Sequence, residues 1–320
     1  MRHSSAVALL SAALSFSTSP AFATDYPSRP VRVVVPFGAG SATDTVARTV
    51  GQHLSSGLGQ QLVIDNRAGA NGTIGAELAA RAAKDGYTLL MSTNTPSAAA
   101  PSLMNKINYD PVKDFAPIGR IGTIAFVLVA NPSLPAKSIG ELIALAKKQP
   151  GKLTIGSGSA GSLVPVFMLQ QMGGIELNHV PYKSIPPALA DVMGGQIQMV
   201  YADLVTGTPQ VKSGKVRALG VTSKTRAGLL PEVPSIAETL KDFELIAWFA
   251  LFAPAGTPQP VLARLEGELK TVLARNDVKD RFKSMGIDVA PMTPAQLSAF
   301  QKSELQKWAR LAKAAGIQPQ

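Results

Sequence analysis

Short apolar runs alternate with segments of helical periodicity along most of this chain. The strand-type runs are residues 31–36, 62–64, 88–91, 121–130, 152–156, 179–180, 197–201 and 216–221. Helical segments are predicted from about residue 44, over 74–83, 138–150 and 163–172, and in the chain after residue 257. Strands that alternate with helices are typical of βαβ units, so the pattern predicts an α/β fold around a mostly parallel sheet.

Three helix starts carry local signals of their own. Ser138 followed by Glu141 has the spacing of a capping box. The pairs Thr257-Pro258 and Thr293-Pro294 predict helices that have proline at the first position, where its missing N–H costs nothing.

The first residues of the chain have the pattern of a secretory signal. A short basic start at Arg2 is followed by an apolar stretch over residues 6–16 and by the small residues Ala21 and Ala23. The apolar stretch is too short for a transmembrane anchor, which needs about 18 residues. The pattern therefore predicts that residues 1–23 are a signal peptide cleaved after Ala23, and that the mature protein is periplasmic.

The amino-acid composition excludes several classes of function. The chain has 320 residues, 46% of them hydrophobic and 16% charged, which is a globular composition. It contains no cysteine, and its three histidines form no His-Glu-x-x-His pair, so we expect no metal and no other cofactor. The formal net charge is +10, but Lys and Arg are dispersed and not interleaved with aromatic residues, so we expect no nucleic-acid binding.

One internal similarity points to a binding chemistry. The segments Gly38-Ala39-Gly40-Ser41-Ala42 and Gly156-Ser157-Gly158-Ser159-Ala160 each follow a predicted strand and precede a predicted helix. Each loop would direct backbone N–H groups and a helix N-terminus at one place, which favours an anion.

Two enzymatic interpretations of the second segment are weaker. Gly156, Gly158 and Gly161 fit a dinucleotide-binding pattern, but they lie in the middle of an exported chain, where nicotinamide cofactors are scarce. Ser159 lacks the flanking glycines of a hydrolase nucleophile elbow, and the sequence alone places His179 near no serine.

A series of motifs in one order resembles the Bug (TctC-like) family, the extracytoplasmic solute receptors of tripartite tricarboxylate transporters. These motifs are Pro36-Phe37-x-x-Gly40, Asn66-Arg67-x-Gly69-Ala70, Asp85-Gly86-Tyr87-Thr88, Val180-Pro181-Tyr182-Lys183, Ser213-Gly214-Lys215-Val216 and Ala253-Pro254-Ala255-Gly256. The sequence departs from the family pattern at Gly38, Ser41, Ser159, Pro165 and Ser184.

The resemblance implies a type II periplasmic-binding-protein fold, in which two α/β lobes are joined by two crossing strands with the ligand cleft between them. Residues 24–122 and 223–320 would form lobe 1, and residues 123–222 would form lobe 2. The chain would cross between the lobes near residues 121–126 and 219–224, where apolar strands are flanked by glycine.

The resemblance also implies a function. The protein would be a non-enzymatic, monomeric periplasmic receptor that captures a small carboxylate and delivers it to membrane transporter subunits. A dicarboxylate, an aromatic acid or an acidic amino acid each remains open as the ligand. The alternatives are a sensor that presents its solute to a signalling receptor and, from another class, a secreted hydrolase.

The expected ligand-binding residues come from both lobes. Lobe 1 would contribute the loop after the first strand and the end of a later strand: Phe37, Gly38, Ala39, Gly40, Ser41, Ala42, Thr43, Asp44, Thr93 and Asn94. Lobe 2 would complete the cleft with Ser157, Ser159, Gly161, Ser162, Tyr182 and Asp203. Asp44 and Asp203 have a second interpretation as groups that favour or cap a helix N-terminus.

Overall fold

The computed structural model describes residues 26–319. The strands are β1 (Val31–Val35), β2 (Leu62–Asn66), β3 (Thr88–Thr93), β4 (Phe115–Ala130), β5 (Thr154–Ser157), β6 (Asn178–Pro181), β7 (Met199–Asp203), β8 (Arg217–Val221), β9 (Ile246–Pro254) and β10 (Ile287–Met292). The helices are α1 (Ala42–Leu58), α2 (Thr73–Ala80), α3 (Ala100–Leu103), α4 (Ile139–Lys148), α5 (Ala160–Gly173), α6 (Ile185–Met193), α7 (Leu204–Lys212), α8 (Gln259–Ala274), α9 (Asn276–Lys283) and α10 (Pro294–Ala314). The predicted signal peptide lies outside the described residues, and within them no helix is long and apolar enough to span a membrane.

The sheet has two halves that share β4. In the first half β2, β1 and β3 are parallel, and β9 joins β3 to β4 by antiparallel pairing, with β10 also on β4. In the second half β4 pairs with β7 and β8, and β7, β5 and β6 are parallel. Helices cover both halves and bury their apolar residues. The predicted fold class, two α/β lobes joined by crossing strands, is confirmed. The prediction of a mostly parallel sheet is wrong, because every pairing of β4 and β9 is antiparallel and the sheet is therefore mixed.

The crossing point is held by the side chain of one threonine. β4 pairs with β9 as far as Ala125 and with β7 from Phe126 onward, so the chain changes sheet halves between these two residues. Thr222, which follows β8, accepts the Phe126 N–H at Oγ1 (2.9 Å) and donates from Oγ1 to the Leu245 carbonyl (2.7 Å). Its backbone N–H and carbonyl bond the same two residues. The change of sheet half at Ala125–Phe126 lies within the predicted segment 121–126, and Thr222 lies within the predicted segment 219–224. The lobe boundaries at 122 and 222 stay a prediction.

The helix starts differ from the predictions in detail. Ser138 caps α4, but the Glu141 carboxylate accepts the N–H of Lys137 and not that of Ser138, so the predicted capping box is not reciprocal. α8 begins at Gln259, so Pro258 stands at the capping position instead of the first helical one. α10 begins at Pro294, as predicted, and Thr293 and Gln296 also form a reciprocal capping box there. Local sequence thus specified where helices begin to within a residue or two.

Replacing Thr222 by valine should destabilise the fold at the crossing. The Thr222→Val change keeps the side-chain shape but leaves the buried Phe126 N–H and Leu245 carbonyl without their side-chain partner. Each buried polar group left unsatisfied costs about 1–3 kcal/mol of unfolding free energy. Urea unfolding measures the loss. Thr225→Val, an exposed threonine of the same connection, is the control. Equal unfolding free energies for the two variants would contradict this role.

Candidate ligand-binding site

A small cavity of about 40 Å³ lies between the two halves of the sheet. The described residues that line it are Phe37, Ser41, Ala42, Thr43, Thr93, Asn94, Thr95, Ile124, Phe126, Gly158, Ser159, Ile185, Asp203, Ala247 and Phe249. Four strands, β1, β3, β5 and β7, direct their carboxyl ends toward it, which is where open α/β sheets bind ligands.

The first wall is the N-terminus of α1. Ser41 caps the helix by accepting the Asp44 N–H at its hydroxyl (3.3 Å). Within the described chain, the backbone N–H groups of Ala42 and Thr43 have no hydrogen-bond partner. Because the first N–H groups of a helix point out of its end and carry the positive end of its dipole, this wall is suited to an anion.

Asp44 holds the first loop in shape and does not line the cavity. Its Oδ2 accepts the Gly40 N–H and the Arg48 Nε–H, both at 3.0 Å. Its Oδ1 accepts the Asn66 amide, which also donates to the Phe37 carbonyl. Partial burial works to raise the pKa of this carboxyl, but the bonds from Arg48, Gly40 and Asn66 hold it below its usual value. The Gly40 N–H is therefore committed to Asp44, not open to a ligand.

The second wall is the N-terminus of α5, where most backbone N–H groups already bond other protein groups. Ser159 caps α5 and exchanges hydrogen bonds with Ser162, whose hydroxyl also accepts the Gly158 N–H (2.9 Å). The Ala160 N–H donates across the cavity to the hydroxyl of Thr95, which follows β3 in the first half (3.1 Å). The two similar loops therefore differ in chemistry, because only the first keeps a pair of open N–H groups.

Two polar side chains that line the cavity differ in chemistry: the Asn94 amide is a hydrogen-bond donor without a partner in the described chain, and Asp203 carries a carboxyl group. Asn94, 1% exposed, has an amide nitrogen with no hydrogen-bond partner among the described residues. Asp203, 3% exposed, caps α7 by accepting the Thr206 N–H (2.9 Å) and hydroxyl (3.0 Å). Burial raises the pKa of the Asp203 carboxyl, and the bonds from Thr206, together with the N–H groups of Asp203 and Val205, offset this only in part.

Half of the predicted site residues reach the cavity. Those lining it are Phe37, Ser41, Ala42, Thr43, Thr93, Asn94, Ser159 and Asp203. The remaining eight support the cavity from behind or lie to one side of it. Gly38 packs against the second half, since a Cβ at this position would lie 3.0 Å from the Ser184 hydroxyl. Ala39 is exposed, and Gly40 and Asp44 are hydrogen-bonded to each other within the loop.

In the second half, the other four predicted residues bond elsewhere. The Tyr182 hydroxyl donates to Asp191 (2.6 Å), outside the cavity, and burial together with Asp191 raises the pKa of Tyr182 to about 12. Gly161 allows the Phe126 ring to pack where a Cβ would be, and Ser162 completes the cap of α5. Ser157 lies behind the cavity on β5.

Ser157 also forms a contact that the sequence did not reveal. Its hydroxyl lies 2.7 Å from Nε2 of His179 on the neighbouring strand β6. Neither residue lines the cavity, and among the described residues no acidic group bonds the other ring nitrogen of His179. A serine hydrolase needs the histidine oriented and the serine open to substrate. The pair therefore joins two strands without forming a triad.

Sequence reasoning missed the apolar floor of the cavity. Ile124 and Ala247 are directly paired between β4 and β9, and Phe249 lies two residues further along β9. Phe126 and Ile185 close the floor from the second half. The apolar runs themselves were visible in the sequence, but only the antiparallel register of β4 and β9 brings these residues to one place. Thr95 and Gly158 lie next to predicted residues and could have been found from them.

Two α/β halves that share a crossing strand, with a cavity of polar walls and apolar floor at their strand ends, define a solute-binding protein of the periplasmic-binding-protein fold. The chain belongs to the tripartite tricarboxylate transporter receptor family, whose model, "Tripartite tricarboxylate transporter family receptor", matches residues 46–317. It is 37% identical to periplasmic binding protein BugD, whose structure aligns over 92% of this chain and all of BugD with a TM-score of 0.88.

Two further solved structures hold ligands. Rpa4515 of R. palustris, solved with adipate, is 32% identical, with a TM-score of 0.90 over 92% of this chain and 100% of that one. MatC of Rhodopseudomonas palustris, with bound malate, is also 32% identical, with a TM-score of 0.84 over 89% and 99% of the two chains. The predicted family membership is confirmed.

The buried carboxyl of Asp203 should make stability depend on pH. Because its pKa is raised in the folded protein, the folded state keeps a proton that the unfolded chain has lost. The stability contributed by this group therefore falls as the pH rises from about 3.9, the ordinary aspartate pKa, through the raised value. We expect Asp203→Asn, which still caps α7, to gain stability relative to the wild type between about pH 4 and pH 7.

Urea unfolding without ligand at a series of pH values measures this effect. The control is Asp277→Asn, an exposed carboxylate whose pKa is lowered by its hydrogen bond from Arg275. That variant should run parallel to the wild type between about pH 5 and pH 7, because the stability linked to a lowered pKa changes only at and below the ordinary aspartate pKa of about 3.9. Parallel pH profiles for Asp203→Asn and the wild type would show that the Asp203 pKa is not raised.

Proposed function

We propose that this protein is a periplasmic receptor that captures a small carboxylate and delivers it to a tripartite tricarboxylate-type membrane transporter. The observation that carries the proposal is the open N-terminus of α1, where Ala42 and Thr43 line the cavity and their two N–H groups have no partner among the described residues. No Lys or Arg is among the described residues that line it. A carboxylate would be held there by backbone donors and the helix dipole instead of a cationic side chain.

The ligands of similar proteins support a carboxylate. Rpa4515 was solved with adipate and MatC with malate, and both share the fold of this chain over most of its length. Adipate and malate are therefore the first acids to test by isothermal titration calorimetry. The protein would act as a monomer in the periplasm after removal of residues 1–23, and it would release its ligand unchanged.

Delivery to a transporter is tested in cells. Deleting the gene should abolish uptake of the bound acid at low external concentration, and expressing the chain again should restore it. If uptake is unchanged while a transcriptional response to the acid is lost, the receptor serves a sensor instead. Conversion of the bound acid or of its esters by the purified protein would favour the hydrolase alternative.

A proline at position 42 should remove one ligand donor with little effect on the helix. Ala42 is the first residue of α1, where proline is tolerated, and Ser41 before it has the extended backbone that proline requires (φ −69°, ψ 160°). Losing a charge-assisted hydrogen bond costs roughly 1.5–3 kcal/mol, which weakens binding of adipate or malate about 10- to 150-fold. Calorimetry with Ala42→Pro measures this.

The matched control is Asn276→Pro. Asn276 is the exposed first residue of α9, and the residue before it has a similar extended backbone (φ −65°, ψ 137°). This variant should bind the acid as the wild type does. An unchanged affinity in Ala42→Pro, with its circular dichroism spectrum intact, would remove α1 from the binding site.

Ligand binding should favour contact between the two halves. The halves meet at the Thr95–Ala160 hydrogen bond and where Gly38 packs against Ser184, so a ligand touching both walls stabilises this arrangement. We expect the radius of gyration from small-angle X-ray scattering to decrease when adipate or malate saturates the protein. A constant radius, with binding demonstrated by calorimetry, would indicate a rigid, preformed cavity.

A further inference from the structure

Asp203 is the one ionisable side chain among the described residues that line the cavity. It stands where β7 ends and α7 begins, on the wall contributed by the second half of the sheet. The other lining groups are hydroxyls, one amide, backbone and apolar side chains. Whatever occupies the cavity must therefore meet a carboxyl group that is almost completely removed from water.

This carboxyl keeps one oxygen open for a ligand. Both hydrogen bonds that its side chain accepts from Thr206 end on Oδ1. Among the described residues no hydrogen bond of ordinary length and angle ends on Oδ2, although the N–H groups of Asp203 and Val205 lie near the carboxyl and help to lower its pKa. A carboxylate can accept several hydrogen bonds, so Oδ2 can take one from a donor inside the cavity.

The first half of the sheet lines the cavity with hydrogen-bond donors, in contrast to the acceptor Asp203 on the second half. The Asn94 amide nitrogen is buried and has no partner in the described chain, and the N–H groups of Ala42 and Thr43 are open. A buried donor without a partner destabilises the protein, and a ligand acceptor would remove that cost. The cavity thus has donors on one wall and an acidic acceptor on the other.

We propose that the ligand is an amino acid, whose carboxylate meets the donors at α1 and Asn94 and whose protonated amine donates to Asp203. This inference rests on the proposed function and specifies its ligand. With no Lys or Arg lining the cavity, a second ligand carboxylate could meet Asp203 only while Asp203 keeps its proton, since two like charges would repel in a poorly solvated space. An ammonium group there compensates the buried charge and donates to Oδ2.

Matched pairs of acids that differ only in the amine test the proposal. The pairs are L-aspartate with succinate, L-glutamate with glutarate, and 4-aminobutyrate with butyrate. For at least one pair we expect calorimetry to show at least about tenfold tighter binding of the amine-bearing member, the effect of one charge-assisted bond. In Asp203→Asn the ratio of the two affinities should fall to about one, because the amide is neutral while it still caps α7.

Asp277→Asn is the control, since it removes one exposed carboxylate near a helix start and should leave the ratio unchanged. The proposal is overturned if no pair favours the amine, which would mean that Asp203 meets its ligand as a protonated acid. It is also overturned if the preference persists in Asp203→Asn. Either result with adipate or malate still binding leaves the receptor function intact. Failure to bind any carboxylate would instead overturn the proposed function itself.

Discussion

The hydrogen bonds of Thr222 are the constraint on which the rest of the molecule depends. They tie Phe126 on β4 to Leu245, the residue before β9, at the place where the chain passes between the sheet halves. Phe126 itself lines the cavity, and Ala247 lies two residues after Leu245. Because these residues adjoin the Thr222 bonds, the floor of the cavity is fixed by the same contacts that connect the halves.

The two similar strand–loop–helix units, capped by Ser41 and Ser159, have different roles in this structure. Ser41 and Ser159 both cap helices that begin at the cavity. At α1 the open N–H groups remain available, whereas at α5 the Ala160 N–H is bound by Thr95 from the other half. One end of the site can therefore bind an anion, while the corresponding end of the other loop contributes to contact between the halves. A cavity with unlike walls suits a ligand with unlike ends, which is the basis for assigning a role to Asp203.

Much of the site is held by residues that do not touch the cavity. Asp44 fixes the first loop through Gly40 and Asn66, and Ser162 fixes the second through Gly158. Such support keeps donors in position before a ligand arrives, so less ordering has to occur on binding. It also explains why a motif-based prediction included them: they belong to the binding loops, but their polar atoms bond the protein itself.

The sequence by itself determined what depends on neighbours along the chain. The alternation of strands and helices, the strand–loop–helix units around Ser41 and Ser159, and the absence of cationic residues from those loops could all be predicted, since caps and turns are set within a few residues. Only the tertiary structure decided that Tyr182 turns to Asp191 and that the strand pairing of β4 and β9 brings Ile124 and Phe249 into the cavity. Those contacts join residues far apart in sequence, and their register follows from packing of the whole sheet.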